Sequence, residues 1–261
     1  MLLQCHQQDA PGHRIRHGVE AVQPVARAGS DPGDAREALA ASDPLAFLRA
    51  CRKGYDASVR DYRCMFTKQE RIDGELRPRQ VTEVTFREEP FSVAMRWLEN
   101  AGGAQRLSYV AGRRVKGGRE FAHIHPAGMI ALLAPGGVWR DIHGPEMMAE
   151  SRKAVDSFGF RNTLDMLIEH CEKAAGDSRY ALKYIGQGKL DERPCFVIER
   201  RLPFEGESGT YPDRVAVIYI DQEWLLPTGV YTYRDDAARE LIGSYVITNV
   251  TFNVGFTDAE F

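Results

Sequence analysis

The 261-residue chain has only five cysteines, at positions 5, 51, 64, 171 and 195, and no two of them stand as C-x-x-C. This spacing argues against a zinc knuckle or a thioredoxin-like redox pair. An odd count without short spacings also argues against a disulfide scaffold. One bridge, such as Cys51 to Cys64, stays open, and buried free thiols are the plainer reading. No apolar run approaches the roughly 18 residues that a membrane-spanning helix needs. The longest, Met129-Ile130-Ala131-Leu132-Leu133-Ala134, stops at Pro135-Gly136-Gly137 and predicts a short buried strand or helix. Neither sign of charge dominates: the net charge is -3, so no field gathers nucleic acid or anionic lipid. A Gly-rich phosphate loop and a convincing pair of catalytic carboxylates are also missing.

The opening Met1-Leu2-Leu3-Gln4-Cys5 has neither the basic nor the apolar stretch of a secretory signal. Leu2 stands three residues before Cys5, as in a lipoprotein cleavage box, but Gln4 suits that box poorly and no hydrophobic segment precedes it. Residues 1–41 mix Ala, Gly, Pro, Asp and Arg without apolar periodicity, which predicts a flexible tail. Order is expected from Ser42 onward, with residues 42–261 as a single domain. Ser42 can cap a helix whose first turn holds Pro44. Leu45, Leu48, Cys51 and Tyr55 then form one apolar stripe.

What is present in quantity is amphipathic strand. Tyr62 to Asp73, Val81 to Arg87 and Pro90 to Trp97 form a meander. Its turns are Asp73-Gly74, suited to positive φ, and Glu88-Glu89-Pro90. Thr82, Val84 and Phe86 share one face. Phe91, Val93, Met95 and Trp97 share another, with Ser92, Ala94 and Arg96 on the wet side. Gln105–Val110 and Arg119–His125 are two further strands, and residues 134–158 read as a long loop with short helical pieces. Leu164, Leu167, Ile168 and Cys171 define a helix over Asn162–Lys173, capped at Asn162. A hairpin follows, Arg179–Gly186 with Cys195–Arg201, and then strands at Arg214–Asp221, Pro227–Tyr233 and Glu240–Val254. In the last strand, Val246, Thr248, Val250, Phe252 and Val254 alternate with Tyr245, Ile247, Asn249 and Thr251. The expected class is α+β: a curved antiparallel sheet, an incomplete β-barrel of about ten strands, wrapped around two or three helices.

Three patterns could carry chemistry. His123-Ile124-His125 puts two imidazoles on one strand face, and His143 or Asp141 could complete a metal site for a hydrolase. The ordinary reading is two partly exposed histidines at a strand end. Gly206-Glu207-Ser208-Gly209 resembles a nucleophile elbow, but Thr210 stands where the last glycine belongs, and the stretch lies in a polar loop. Lys68-Gln69-Glu70-Arg71 fits a solvated strand face, with Lys68 and Glu70 able to pair. The strand aromatics, Phe66, Phe86, Phe91, Trp97, Tyr109, Tyr219, Tyr231 and Phe252, must line an interior that is either a packed core or an apolar cavity.

Several segments resemble a bacterial family grouped as a domain of unknown function, whose members are mostly exported. They are Lys68-Gln69-Glu70-Arg71-Ile72-Asp73-Gly74, Pro90-Phe91-Ser92-Val93-Ala94-Met95-Arg96-Trp97-Leu98, Tyr109-Val110-Ala111-Gly112, Tyr219-Ile220-Asp221, and Asn253-Val254-Gly255-Phe256-Thr257-Asp258-Ala259-Glu260-Phe261. That family is distantly similar to the LolA and LolB lipoprotein-carrier fold. The resemblance implies a non-enzymatic protein of the periplasm or cell envelope, holding a lipid, a lipoprotein acyl chain or another apolar ligand in a half-barrel. It implies no cofactor, no nucleic-acid partner and no integral membrane span. Phe86, Phe91, Met95 and Trp97 are the expected lining. The alternatives are an interaction module with a filled core, or a metal-dependent hydrolase using His123 and His125.

Overall fold

Asp43 takes an extended backbone, and its Oδ1 accepts a hydrogen bond from the Ala46 N–H at 2.9 Å, so the second helix starts here. The cap is thus Asp43 rather than Ser42, whose hydroxyl instead donates back to Ala38. Residues 32–206 and 209–261 are described by the structure, a computed structural model. The expected tail at residues 1–31, Cys5, and the Glu207-Ser208 centre of the elbow-like motif lie outside the described residues. Helix α1 (Pro32–Ser42) occupies the end of the stretch read as tail, and α2 (Pro44–Ser58) follows it. Ala40 is fully buried, which anchors α1 to the core.

The meander begins with β1 (Asp61–Ile72), β2 (Glu75–Leu76), β3 (Gln80–Arg87) and β4 (Ser92–Glu99). It continues through β5 (Ala104–Val110), β6 (Val115–Lys116) and β7 (Arg119–Pro126). Short pieces follow: α3 (Ile130–Leu133), β8 (Val138–Asp141), α4 (Pro145–Met148) and a 3-10 turn at Val155–Ser157. The long helix is α5 (Phe160–Ala174). It starts at Gly159 rather than at Asn162, whose side-chain amide donates to the Asp156 and Phe158 carbonyls. The second ladder is β9 (Ala181–Leu190), β10 (Arg193–Arg201), β11 (Val215–Asp221), β12 (Pro227–Tyr233) and β13 (Leu241–Phe252). Asp191 and Glu192 form the β9–β10 turn with φ of 50° and 61°, the left-handed pair that a two-residue hairpin requires.

The described strands form one open sheet in the order β6-β7-β5-β4-β3-β1-β13-β12-β11-β10-β9, with β2 beside β1 and β8 beside β7. Every pairing is antiparallel. The α+β class and the incomplete barrel are as the sequence predicts, and the strand count is higher by the short β2, β6 and β8. Helices α2 and α5 pack on one face. Phe47, Leu48, Cys51 and Tyr55 of α2 and Phe160, Leu164, Leu167 and Cys171 of α5 are buried there. Arg52–Asp165 (2.6 Å) and Arg49–Glu172 (2.7 Å) tie the helices together at the surface. The four described cysteines are free and buried, so Cys51 and Cys64 are not bridged.

Face assignments differ from expectation at Ser92, in β13, and at Tyr219 and Tyr231, which are partly buried on the face opposite Ile218, Ile220 and Val230. Ser92 is buried rather than wet, because its hydroxyl donates to Pro90 and accepts from Arg87. Alternation in β13 breaks at Asn249, which has φ of 52°. Phe66 faces Ile247 and Met65 faces Thr248, yet Arg63 faces Thr251. This extra residue is a β-bulge, and it switches the inner face from Tyr245 and Ile247 to Val250 and Phe252.

Candidate functional site

Helices α2 and α5 cover part of the inner face, and the segment from Val138 to Gly159 covers another part. Between that segment and the sheet lies a cavity of about 310 Å³. This is at the low end of the ~300–1,000 Å³ range usual for small-molecule sites. Its apolar wall on the sheet side comes from six strands, among them Phe66 of β1, Met95 and Trp97 of β4, Leu107 of β5 and Ile247 of β13. The covering segment adds Val138, Ile142, Met147, Val155 and Phe158. Phe158 meets Phe66 edge-on at 5.2 Å. Gly159 permits the close approach: at φ of 112°, a Cβ there would lie 3.2 Å from the Phe86 ring and 3.3 Å from the Tyr62 hydroxyl.

One part of the cavity is charged. Glu70 is buried, and its carboxylate accepts from Lys68 Nζ (2.9 Å), Tyr245 Oη (2.8 Å), Ser151 Oγ (3.2 Å) and the Arg152 N–H (3.3 Å). Burial disfavours its charge, but Lys68 and these donors outweigh burial and hold its pKa below the ordinary value. Burial, reinforced by Glu70, keeps the Tyr245 phenol protonated far above its usual range. Lys153 also lines the cavity. Its ammonium lies 4.5 Å from the Tyr245 ring centroid and, among the described residues, donates only to the Met166 thioether, at 3.5 Å. Burial pulls its pKa down to about 8. At the rim, Arg140 pairs with Glu146. Gly103 and Glu150 are exposed there. A second recess of about 400 Å³ shares Lys68, Glu70, Gln80, Ala101 and Glu150 with the first.

Of the four residues expected as lining, Met95 and Trp97 face this cavity. Phe86 and Phe91 do not. Phe86 is 1% exposed and stacks on Tyr62 at 4.7 Å. Phe91 packs against Phe86 and Tyr109, at 5.3 and 6.0 Å. The reason is lengthwise position: the helices fill the sheet at the Ser92 end of β4, and the cavity lies toward Trp97. Sequence reading missed Phe158, Met147 and Lys153 because they sit in a segment without apolar period.

His123 and His125 do lie side by side, with ring centroids 4.8 Å apart. His123 stacks on Trp139 at 4.8 Å, and its Nε2 hydrogen-bonds with the Gly136 carbonyl at 2.9 Å. Asp141 accepts from the His143 N–H at 3.0 Å, and the His143 ring pairs with Asp156 at 2.8 Å. Among the described residues, no group of three or more His, Cys, Asp or Glu side chains converges to hold a metal. Among the described residues, no helix is long and apolar enough to cross a membrane.

No curated protein matches the chain. Among solved structures, it is similar to MucB in the MucA/MucB complex of Pseudomonas aeruginosa, at 12% identity over 83% of this chain and 60% of that one, TM-score 0.47. The chain therefore spans less than two thirds of MucB. It is similar to lipoprotein LppX of Mycobacterium tuberculosis, at 13% identity over 83% of this chain and 99% of that one, TM-score 0.42. A LolA superfamily protein from Nitrosomonas europaea aligns at 7% identity over 82% of this chain and 96% of that one, TM-score 0.31. Residues 59–261 match the family described as "Protein of unknown function (DUF1571)", and the chain belongs to that family.

Proposed function

We propose that this protein is a non-enzymatic binder of an apolar chain, belonging to a lipid or an acylated protein, which it holds in the cavity beneath residues 138–159. The observation that carries this reading is the cavity of about 310 Å³ with its mainly apolar lining. Protein interiors close to crystal-like density, and voids beyond water size are few. Filling the cavity with an acyl chain removes apolar surface from water on both sides, worth roughly 25 cal/mol per Å² before ordering costs. Met95 and Trp97 would contact that chain. The cell envelope is the compartment this reading assigns, following the family resemblance.

Native mass spectrometry of protein isolated from its own host is expected to show bound lipid, and a fluorescent fatty-acid analogue is expected to bind the stripped protein. Met95→Trp, which narrows the cavity, should weaken probe binding while leaving the far-UV circular dichroism unchanged. Absence of both lipid and probe binding would overturn the proposal in favour of an interaction module.

A further inference from the structure

Among the described residues, the cations that line the cavity are paired except Lys153. Lys68 is engaged by Glu70, and Arg140 by Glu146. The Lys153 ammonium has three N–H donors, yet among the described residues no carboxylate lies within 4.0 Å of it. Beside it, β13 presents Tyr245, whose hydroxyl is already committed to Glu70, and α5 presents the Met166 thioether. Glu70 and Asp213 favour its charge from farther away, and Arg200 and Arg152 oppose it. Asp213 is itself held by Arg200 at 2.8 and 3.0 Å. Glu150 stands at the exposed rim. A half-desolvated ammonium with an aromatic face and one weak acceptor is short of an anionic oxygen.

We propose that the ligand is an acidic amphiphile, whose apolar chain fills the cavity and whose anionic head, a carboxylate or a phosphate monoester, seats on Lys153. This rests on the binding reading given above and adds the chemistry of the head group. A charge-assisted N–H···O bond replaces the contact with sulfur, and the Tyr245 ring holds the ammonium in place. Binding of the anion restores the proton that burial weakens, so the acid binds best below pH 8.

The test compares cis-parinaric acid, its methyl ester and dodecyl phosphate on the stripped protein, followed by fluorescence or displacement. The acid is expected to bind about 10- to 100-fold more tightly than the ester. Lys153→Met should erase that difference, and Lys153→Arg should retain it. Raising the pH from 7 to 10 should weaken the acid and leave the ester unaffected. Tighter binding of the dodecyl phosphate than of the acid would assign the head to phosphate, and the reverse to carboxylate. If acid and ester bind equally, the head-group proposal falls and the cavity reading survives. If none of the three binds, both fall. Circular dichroism of the Lys153 variants establishes that a loss of binding is not a loss of fold.

Discussion

Arg200 places its Nη2 between the two carboxylate oxygens of Asp213, at 3.0 and 2.8 Å, in a pair that is 1% and 1% exposed. Among the described residues, Arg200 Nε and Nη1 have no hydrogen-bond partner. Such a pair contributes little over an apolar replacement, but half of it is costly to keep. Arg200→Met is therefore expected to lower stability by about 3–5 kcal/mol, because Asp213 is left buried and charged. Adding Asp213→Leu should recover most of that loss. Urea denaturation of the two single variants and the double variant measures both effects.

Gly159 provides the second prediction. Its φ of 112° and ψ of 162° belong to a region that L side chains avoid, and Phe86 and Tyr62 crowd the position of a Cβ. Gly159→Ala is expected to cost about 1–3 kcal/mol. Gly112, whose Cβ would meet nothing within 4 Å despite φ of 76°, is the control and should cost less on mutation to Asn. Thermal melts of the two variants decide this.

Phe158 pins the covering segment through its ring contacts with Phe66 and Phe86, at 5.2 and 6.0 Å. Phe158→Ala should lose about 2–3 kcal/mol, less than a fully buried phenylalanine. Amide exchange should speed up across residues 138–159 and stay unchanged in β10 and β11. Uniform acceleration would show that the segment does not open separately.

The fourth prediction concerns pH. The Lys153 pKa is lowered from 10.5 to about 8 in the folded protein. Between those values the unfolded chain holds more protons, so this group makes stability rise with pH. Below pH 8 both states are protonated and the full cost, roughly 3 kcal/mol, is present. Lys153→Met should therefore be more stable than the parent at pH 7, and the gap should narrow as pH rises from 8 toward 10. Melting temperatures of both proteins across that range check the sign.

Much of the fold was legible because its strands alternate strongly and its turns carry turn residues. Thr82, Val84 and Phe86 are buried together as their spacing predicts. The bulge at Asn249 was not legible, since its side chains continue a clean two-residue alternation across the break. Phe47 escaped the α2 stripe although it is 2% exposed, because α1 and Phe196 cover a second side of that helix. Of the site, Met95 and Trp97 could be read from β4. Lys153 could not, for nothing local distinguishes a lysine in an aperiodic loop from one in solvent. Its meaning comes from Tyr245, which is far away in sequence.

The pairing of β1 with β13 has a consequence for how the molecule is made. Lys68 and Tyr245 are ladder partners although they stand far apart in sequence. Their hairpin-built neighbours can assemble early, because closing short loops loses little entropy. The joint between the two ladders has to wait for β13 to leave the ribosome. Until then the cavity lacks the wall formed by Tyr245 and Ile247. The enclosed site is thus a property of the finished fold alone.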